Sequence, residues 1–125
     1  MSDDFVERLH EFVRKVTESG DVWGLEHEEG WALAPSADDE TVSVMPFWSD
    51  EAAAEVCATD EWSNYRPSPI PLDDFLDDWL PGMAEDGYRV GVGWDVDLVG
   101  PELDPIDLQA DLEDALDRQI DDGDL

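Results

Sequence analysis

The sequence has very few residues that carry positive charge or redox chemistry. Six lysines and arginines stand against 35 aspartates and glutamates, which gives the 125-residue chain a formal net charge of −29. Without a basic patch to neutralise phosphates, we expect no binding to nucleic acid. Cys57 is the only cysteine, so an intrachain disulfide is excluded and a reducing compartment is expected.

Long apolar runs are also missing. No segment approaches the roughly 20 apolar residues of a membrane-spanning helix, and an acidic surface disfavours anionic lipid. The first residues, MSDDFVERLHEF, lack the basic segment and apolar core of a signal peptide. These absences predict a cytoplasmic protein that does not bind membranes.

What the chain does contain is enough apolar material for a core. Hydrophobic residues make up 42% of the sequence, which argues against a charge-driven disordered chain. Each of the six tryptophans can bury roughly 150–250 Å². We therefore expect residues 1–125 to form one domain around one core. The tryptophans are Trp23, Trp31, Trp48, Trp62, Trp79 and Trp94.

Three segments have the apolar periodicity of amphipathic helices. The first ends near Gly20, the central one has Pro81-Gly82 as an expected kink or end, and the last begins at Asp104-Pro105. A shorter helix is expected after Ser49 as its N-cap, with a small-residue face of Ala52, Ala53, Val56 and Cys57. The apolar stripes are Phe5, Leu9, Phe12 and Val16; Leu72, Phe75, Leu76, Trp79, Leu80 and Met83; and Leu108, Leu112, Leu116 and Ile120.

Alternating residues predict strands at 21–26, 31–34, 41–45 and 88–94. The first two are expected to form a hairpin across the turn 27–30, and the third to complete an antiparallel meander. In the fourth strand, Gly91 and Gly93 indicate close approach by a neighbour, opposite a face of Tyr88, Val90, Val92 and Trp94. Residues 63–71, with three prolines, are interpreted as an extended connector, and residues 121–125 as a frayed acidic tail.

The element order α-β-β-β-α-α-β-α predicts an α+β fold. We expect an antiparallel sheet of about four strands with helices packed on it.

No pattern indicates a catalytic residue, a metal or a cofactor. Asp95, Asp97 and Gly100 resemble the start of a calcium loop, but the later ligand positions hold Val99 and Ile106. The two histidines, His10 and His27, have no ligand spacing. Cys57 is expected to be a buried small side chain. The aspartates at 73, 74, 77 and 78 are expected to form the solvated face of a helix rather than an acid/base pair.

Aromatic residues outside the alternation patterns supply the candidate binding surface. If exposed, they would form a groove for an unknown protein partner; the alternative is that they fill the ends of a small core. These residues are Pro46, Phe47, Trp48, Trp62 and Tyr65.

The acidity has two interpretations. Such a charge repels itself, and concentrated salt screens that repulsion, so a surface adapted to a salty cytosol, with diffuse hydrated cations, is the leading hypothesis. The alternative is an acidic inhibitor, immunity protein or nucleic-acid mimic that binds a basic protein. A small enzyme that uses its carboxylates is a third, less favoured hypothesis. Because aromatic residues cluster at 46–48 and 62–65 and no catalytic arrangement is found, the leading function is a small non-enzymatic binding module.

Several segments in order resemble the bacterial family known as domain of unknown function 2750. The resemblance runs from about Phe5 to Leu116, and it implies a stand-alone cytoplasmic domain without an assigned activity. It implies asparagine at Gly93 and Asp95, so no polar role is transferred to that loop. The segments are Gly20-Asp21-Val22-Trp23-Gly24-Leu25, Gly30-Trp31-Ala32-Leu33, Met45-Pro46-Phe47-Trp48-Ser49-Asp50-Glu51 with Ala54 and Cys57, Trp62 with Tyr65, Phe75-Leu76 with Trp79-Leu80-Pro81-Gly82-Met83, Asp86-Gly87, Val90-Gly91-Val92 with Trp94, and Leu98 with Gly100.

Overall fold

The structure is a computed structural model, and it describes residues 3–28, 30–36, 39–59, 62–95 and 99–123. Five α-helical segments, one π-helical turn and seven strands follow one another along these residues. In chain order they are α1 (Asp3–Ser19), β1 (Asp21–His27), β2 (Gly30–Trp31), β3 (Ala34–Pro35), β4 (Ser43–Phe47), α2 (Glu51–Val56), β5 (Arg66–Pro71), α3 (Leu72–Asp74), the π-turn (Phe75–Trp79), α4 (Leu80–Asp86), β6 (Arg89–Val92), β7 (Glu102–Leu103) and α5 (Pro105–Gly123).

The α+β prediction is confirmed, and the strands form two small sheets. One has the order β2-β1-β5 and is antiparallel, and the other has the order β3-β4-β6-β7. A bridge between Trp23 and Trp48 joins the sheets through reciprocal backbone hydrogen bonds of 2.9 and 2.7 Å. The second sheet departs from the predicted all-antiparallel arrangement because β4 and β6 are parallel, with α2, β5 and the central helix between them in sequence.

The predicted hairpin is present, but its second strand is short. His27 pairs with Gly30 across the turn, in which Glu29 lies outside the described residues. After Trp31 the chain leaves the first sheet, and β3 pairs with β4 in the second. The predicted strand 31–34 is thus divided, and Leu33 is exposed rather than packed on an apolar face.

The proline-rich connector forms the edge strand β5. It pairs with β1 along its whole length, with Trp23 opposite Pro69. The backbone N–H and carbonyl of Trp23 bond to Trp48, so they do not bond to β5. Residue pairs in an antiparallel ladder alternate between hydrogen-bonded and non-hydrogen-bonded. The residues of β5 that bond to β1 are therefore Arg66, Ser68 and Ile70. Pro67, Pro69 and Pro71 therefore occupy positions whose nitrogen faces away from β1. This edge offers no N–H donor at those positions, which protects it against pairing with another chain.

The central helix does not end at Pro81-Gly82; it widens before them. The backbone N–H of Leu80 bonds to the carbonyl of Phe75, five residues earlier, so residues 75–79 form a π-turn. In a regular α-helix the ring of Pro81 would clash with the carbonyl of Asp77, and a wider turn relieves this clash. The helix then continues to Asp86 and ends at Gly87, which has a φ of 77°.

Two buried clusters form the core. The first lies between the helices and the sheets and includes Phe12, Val16, Phe47, Phe75 and Leu112, with Val90 and Val92. The second contains all three buried tryptophans, Trp48, Trp62 and Trp94. Most of the predicted stripes of α1 and α5 face the first cluster, but half-buried Phe5 is not part of it. The side chain of Ile120 lies outside the described residues. The helix α5 continues to Gly123, beyond the start of the predicted frayed tail.

The position of the Trp94 ring explains why residues 91 and 100 are glycines. Its ring lies over Gly91, where an added Cβ would be 2.6 Å from a ring carbon, and over Gly100, where the distance would be 2.5 Å. The predicted close approach at Gly91 is therefore present. The prediction that Trp94 shares a face with Val90 and Val92 is wrong, because the chain turns at Gly93 (φ 61°) and carries Trp94 into the second cluster.

The short helix α2 is capped by Asp50 rather than by Ser49. A carboxylate oxygen of Asp50 accepts from the N–H of Ala53 at 2.8 Å. Its buried residues are Ala54 and, at the C-cap, Cys57, whereas Val56 is exposed. Half of the predicted small-residue face is therefore correct, because Ala53 and Cys57 pack in the second cluster whereas Ala52 and Val56 are exposed.

Candidate binding groove

The five residues of the candidate binding surface do not form a surface. Pro46, Phe47, Trp48 and Trp62 are buried, and Tyr65 is half-buried against the ring of His27 at a centroid distance of 5.0 Å. Phe47 belongs to the first core cluster, whereas Trp48, Trp62 and Tyr65 belong to the second. The structure places these aromatics where the core alternative expected them, so they offer no exposed groove.

A half-exposed groove lies along the central helix. We call it the Trp79 groove, and its volume is about 270 Å³. Strand β4, the end of the π-turn, α4 and the residue before β6 each supply part of its wall. Its apolar part consists of Met45, Trp79, Gly82, Met83 and Tyr88, and the carboxylates of Asp78 and Asp86 line it as well.

The ring of Trp79 is held rigidly at the groove wall. Trp31 packs edge-on against it at 4.8 Å between ring centroids, and Phe47 does so at 5.9 Å, both with interplanar angles of 88°. Trp31 is itself fixed over Gly24, where an added Cβ would lie 2.9 Å from the indole ring. The half-buried face of Trp79 is therefore preorganised before anything binds to it.

Gly82 is the unusual residue of this groove. It lies inside the continuous helical segment 72–86, where glycine costs roughly 0.5–1 kcal/mol relative to alanine. Its φ is not positive, and a Cβ built on it would meet no atom within 4 Å apart from its chain neighbours and the adjacent backbone of its own helix. Neither backbone conformation nor internal packing therefore requires glycine at this position.

For each of the seven other glycines between residues 20 and 100, the fold itself explains why glycine is needed. Four have a positive φ and three lie against an aromatic ring closer than an added Cβ would tolerate. The first group is Gly20, Gly30, Gly87 and Gly93, and the second is Gly24, Gly91 and Gly100. Gly82 differs from all seven because it has neither a positive φ nor an aromatic ring pressed against its Cα.

Another cleft, of about 460 Å³, lies between α1 and α5. Two arginines line it, but each is engaged by a carboxylate of its own helix: Arg14 with Glu18 at 3.2 Å and Arg118 with Asp114 at 2.9 Å. These exposed i,i+4 pairs are an ordinary means of stabilising a helix surface. This cleft shows no group that points to a ligand.

The residues considered for chemistry have structural roles. Cys57 is buried, its thiol donates to the carbonyl of Asp95 at 3.2 Å, and burial raises the pKa of the thiol to about 11. A carboxylate oxygen of Asp95 pairs with Arg8 at 3.3 Å, whereas Asp97 of the calcium-like loop lies outside the described residues. The aspartates at 73, 74, 77 and 78 are all exposed, as predicted for a solvated face.

Neither a metal cluster nor a membrane-spanning helix is found among the residues that the structure describes. Within the described ranges, no three side chains of histidine, cysteine, aspartate or glutamate converge in a way that would hold a metal ion. No helix among these residues has the length and apolar character needed to cross a membrane.

Fold and groove together define a small α+β domain with a preorganised aromatic recess in its surface. The profile of the family described as "Protein of unknown function (DUF2750)" matches residues 9–112, and the chain belongs to this family. Comparisons with curated proteins and with solved structures find no significant match. The Trp79 groove lies entirely within the matched range, and five of its residues come from the segments that carry the family resemblance: Met45, Trp79, Gly82, Met83 and Asp86.

The groove was missed in the sequence because its apolar residues match a helical core pattern. Trp79 and Met83 extend the stripe of Leu72, Phe75 and Leu76, and periodicity does not distinguish a buried residue from one at the edge of the stripe. The available signal was Gly82, a glycine inside a helical pattern with no turn after it.

Proposed function

We propose that this protein is a small, non-enzymatic binding module of the cytoplasm that receives part of a protein partner in the Trp79 groove. The observation that carries the proposal is the presence of a glycine, Gly82, inside the central helix. Glycine destabilises the interior of a helix, yet none of the described residues requires glycine at position 82. A partner that approaches the helix backbone closely would explain why glycine is present there. The rigid indole of Trp79 beside it is the type of anchor that dominates binding energy at interfaces.

The acidic surface is part of the same proposal, in a different role. The central helix exposes Asp73, Asp74 and Asp77 outside the groove, and such carboxylates hold water and cations in a concentrated salt solution. In this proposal these three carboxylates interact with water and cations, whereas the groove binds the partner.

The test is affinity capture from a lysate of the source organism in 2 M KCl. The wild-type protein is compared with Gly82→Ala, which adds one methyl group to the groove floor, and with Ala110→Met, which enlarges an exposed residue on α5. We expect the wild type and Ala110→Met to retain the same partner and Gly82→Ala to lose at least nine-tenths of it. An equal yield from all three proteins would refute the groove as the binding site.

The acidic inhibitor remains a second candidate because of the exposed aspartates on the central helix. It predicts that Gly82→Ala binds normally, that replacing Asp73, Asp74 and Asp77 with asparagine abolishes capture, and that binding weakens steeply with salt. The two candidates thus predict opposite outcomes for the same variants.

A further inference from the structure

The chemistry of the Trp79 groove indicates what kind of group it accepts. We infer that the occupant is an arginine or lysine side chain of the partner, with its aliphatic stem on Trp79 and Met45 and its charge beside Asp78 and Asp86. This inference rests on the proposed function and adds the chemical class of the bound group.

Size is the first argument. Sites for drug-sized ligands usually measure about 300–1,000 Å³, and this groove, at about 270 Å³, falls just below that range. The groove is also open rather than enclosed, since Trp79, Gly82 and Tyr88 are only partly buried. A single long side chain presented from a folded or extended partner fits these dimensions better than a complete cofactor does.

Charge is the second argument. Asp78 and Asp86 are exposed, and none of the described lysines and arginines lines the groove. Arg89 follows Tyr88 in sequence, but its guanidinium faces Glu102 at 3.4 Å and Ser36 at 3.5 Å. The groove therefore presents negative charge that the chain does not compensate locally, and a net charge of −29 repels an anionic partner.

The combination of aromatic wall and carboxylates is the third argument. An arginine or lysine can lay its methylene stem along apolar surface while its charged end stays near water, and the face of an indole attracts a cation. A purely apolar side chain would cover the same wall, but it would take water from Asp78 and Asp86 without replacing it. The charged occupant satisfies both parts of the groove.

The test uses acetylated, amidated heptapeptides that differ only at the central residue. One peptide carries arginine between leucines, a second carries citrulline, which has the same shape without the charge, and a third carries norleucine. Binding is followed through the indole N–H resonance of Trp79, assigned with Trp79→Phe, in 1 M KCl. At this salt concentration the long-range attraction of the acidic surface is largely screened.

We expect the arginine peptide to bind at least fivefold more tightly than the citrulline peptide. The double variant Asp78→Asn/Asp86→Asn should remove this difference. The matched double variant Asp73→Asn/Asp74→Asn, which neutralises two exposed carboxylates outside the groove, should retain it.

Equal affinity for arginine and citrulline peptides would overturn the charged occupant, as would an equal loss in both double variants. A Trp79 resonance that no peptide shifts would overturn it as well. Neutral peptides that bind the wild type but not Gly82→Ala would leave the groove as a binding site and refute only its charge preference. Capture from lysate that is insensitive to Gly82→Ala would refute the proposed function itself.

Discussion

Cys57 shows how a potentially reactive residue is made inert by its position. Its thiol is buried beneath the chain at Trp94 and Asp95, and the carbonyl of Trp94 also accepts the indole N–H of Trp48 at 2.9 Å. Burial disfavours the thiolate and raises the pKa of the thiol to about 11. We therefore assign Cys57 to the core and not to chemistry.

The raised pKa of Cys57 makes folding stability depend on pH. An unfolded thiol has a pKa of about 8.5, so between this value and about 11 the folded protein holds a proton that the unfolded chain has lost. The free energy of unfolding should therefore fall as the pH rises through this interval. Urea denaturation at pH 8, 9.5 and 11 should show a steeper fall for the wild type than for Cys57→Ser, in which the thiol is absent. Parallel curves for the two proteins would contradict the assignment.

The predictions made at the scale of single residues depended on local chemistry. The cap of α5 was predicted correctly because Asp104-Pro105 is a local signal, and a carboxylate oxygen of Asp104 accepts from the N–H of Ile106 at 2.9 Å. The cap of α2 was wrong by one residue because Ser49 and Asp50 are both good caps. The burial of Trp48 and Trp62 depends on strands that are distant in sequence, so local chemistry did not decide it.

At the scale of elements, the π-turn depends on a contact from another helix. In the i to i−5 pattern of residues 75–79, Pro81 would be the donor to the carbonyl of Leu76, but proline has no N–H. The side-chain amide of Gln109 on α5 donates to that carbonyl instead, at 3.0 Å. One residue of α5 thus compensates for the missing donor of the central helix.

This compensation predicts coupling between Gln109 and Pro81. Gln109→Ala should lower the free energy of unfolding by about 1 to 2 kcal/mol, because it leaves a carbonyl in the helix–helix contact without a donor. The cost should be smaller in a Pro81→Ala background, where the backbone regains an N–H at position 81. Urea denaturation of the two single variants and the double variant forms the double-mutant cycle, and strictly additive costs would show that the contact is incidental.

The strands were harder to predict than the helices, for a physical reason. The stripes of α1 and α5 are local and were identified correctly, whereas strand pairing is made by residues far apart in sequence. Prolines at alternate positions of β5 look like a connector because proline weakens most strands. They are tolerated here because β1 requires donors only from Arg66, Ser68 and Ile70. The parallel pairing of β4 with β6 has no local sign at all.

For the whole molecule, the dominant property is the imbalance between core and surface charge. The aromatic clusters hold the chain together, while 35 carboxylates on 125 residues repel one another. Screening reduces this repulsion, since the Debye length falls from about 10 Å at 0.1 M salt to about 3 Å at 1 M.

The free energy of unfolding should therefore rise as KCl increases from 0.1 to 2 M. Urea denaturation at constant pH measures this change. Sucrose at matched osmolality is the control, because it stabilises folded proteins by exclusion without screening charge. A KCl effect no larger than that of sucrose would mean that the carboxylates do not repel one another enough to matter.

The central claim is that glycine at position 82 keeps the groove open for a partner, although it lowers the free energy of unfolding. Two free energies measured on Gly82→Ala in 1 M KCl test it most directly. The free energy of unfolding should increase by roughly 0.5–1 kcal/mol, because alanine is the better helix residue and its methyl group meets no atom within 4 Å apart from its chain neighbours and the adjacent backbone of its own helix. In the same buffer, the affinity for the arginine peptide should fall at least tenfold. A variant that is more stable and still binds as tightly as the wild type would contradict the account.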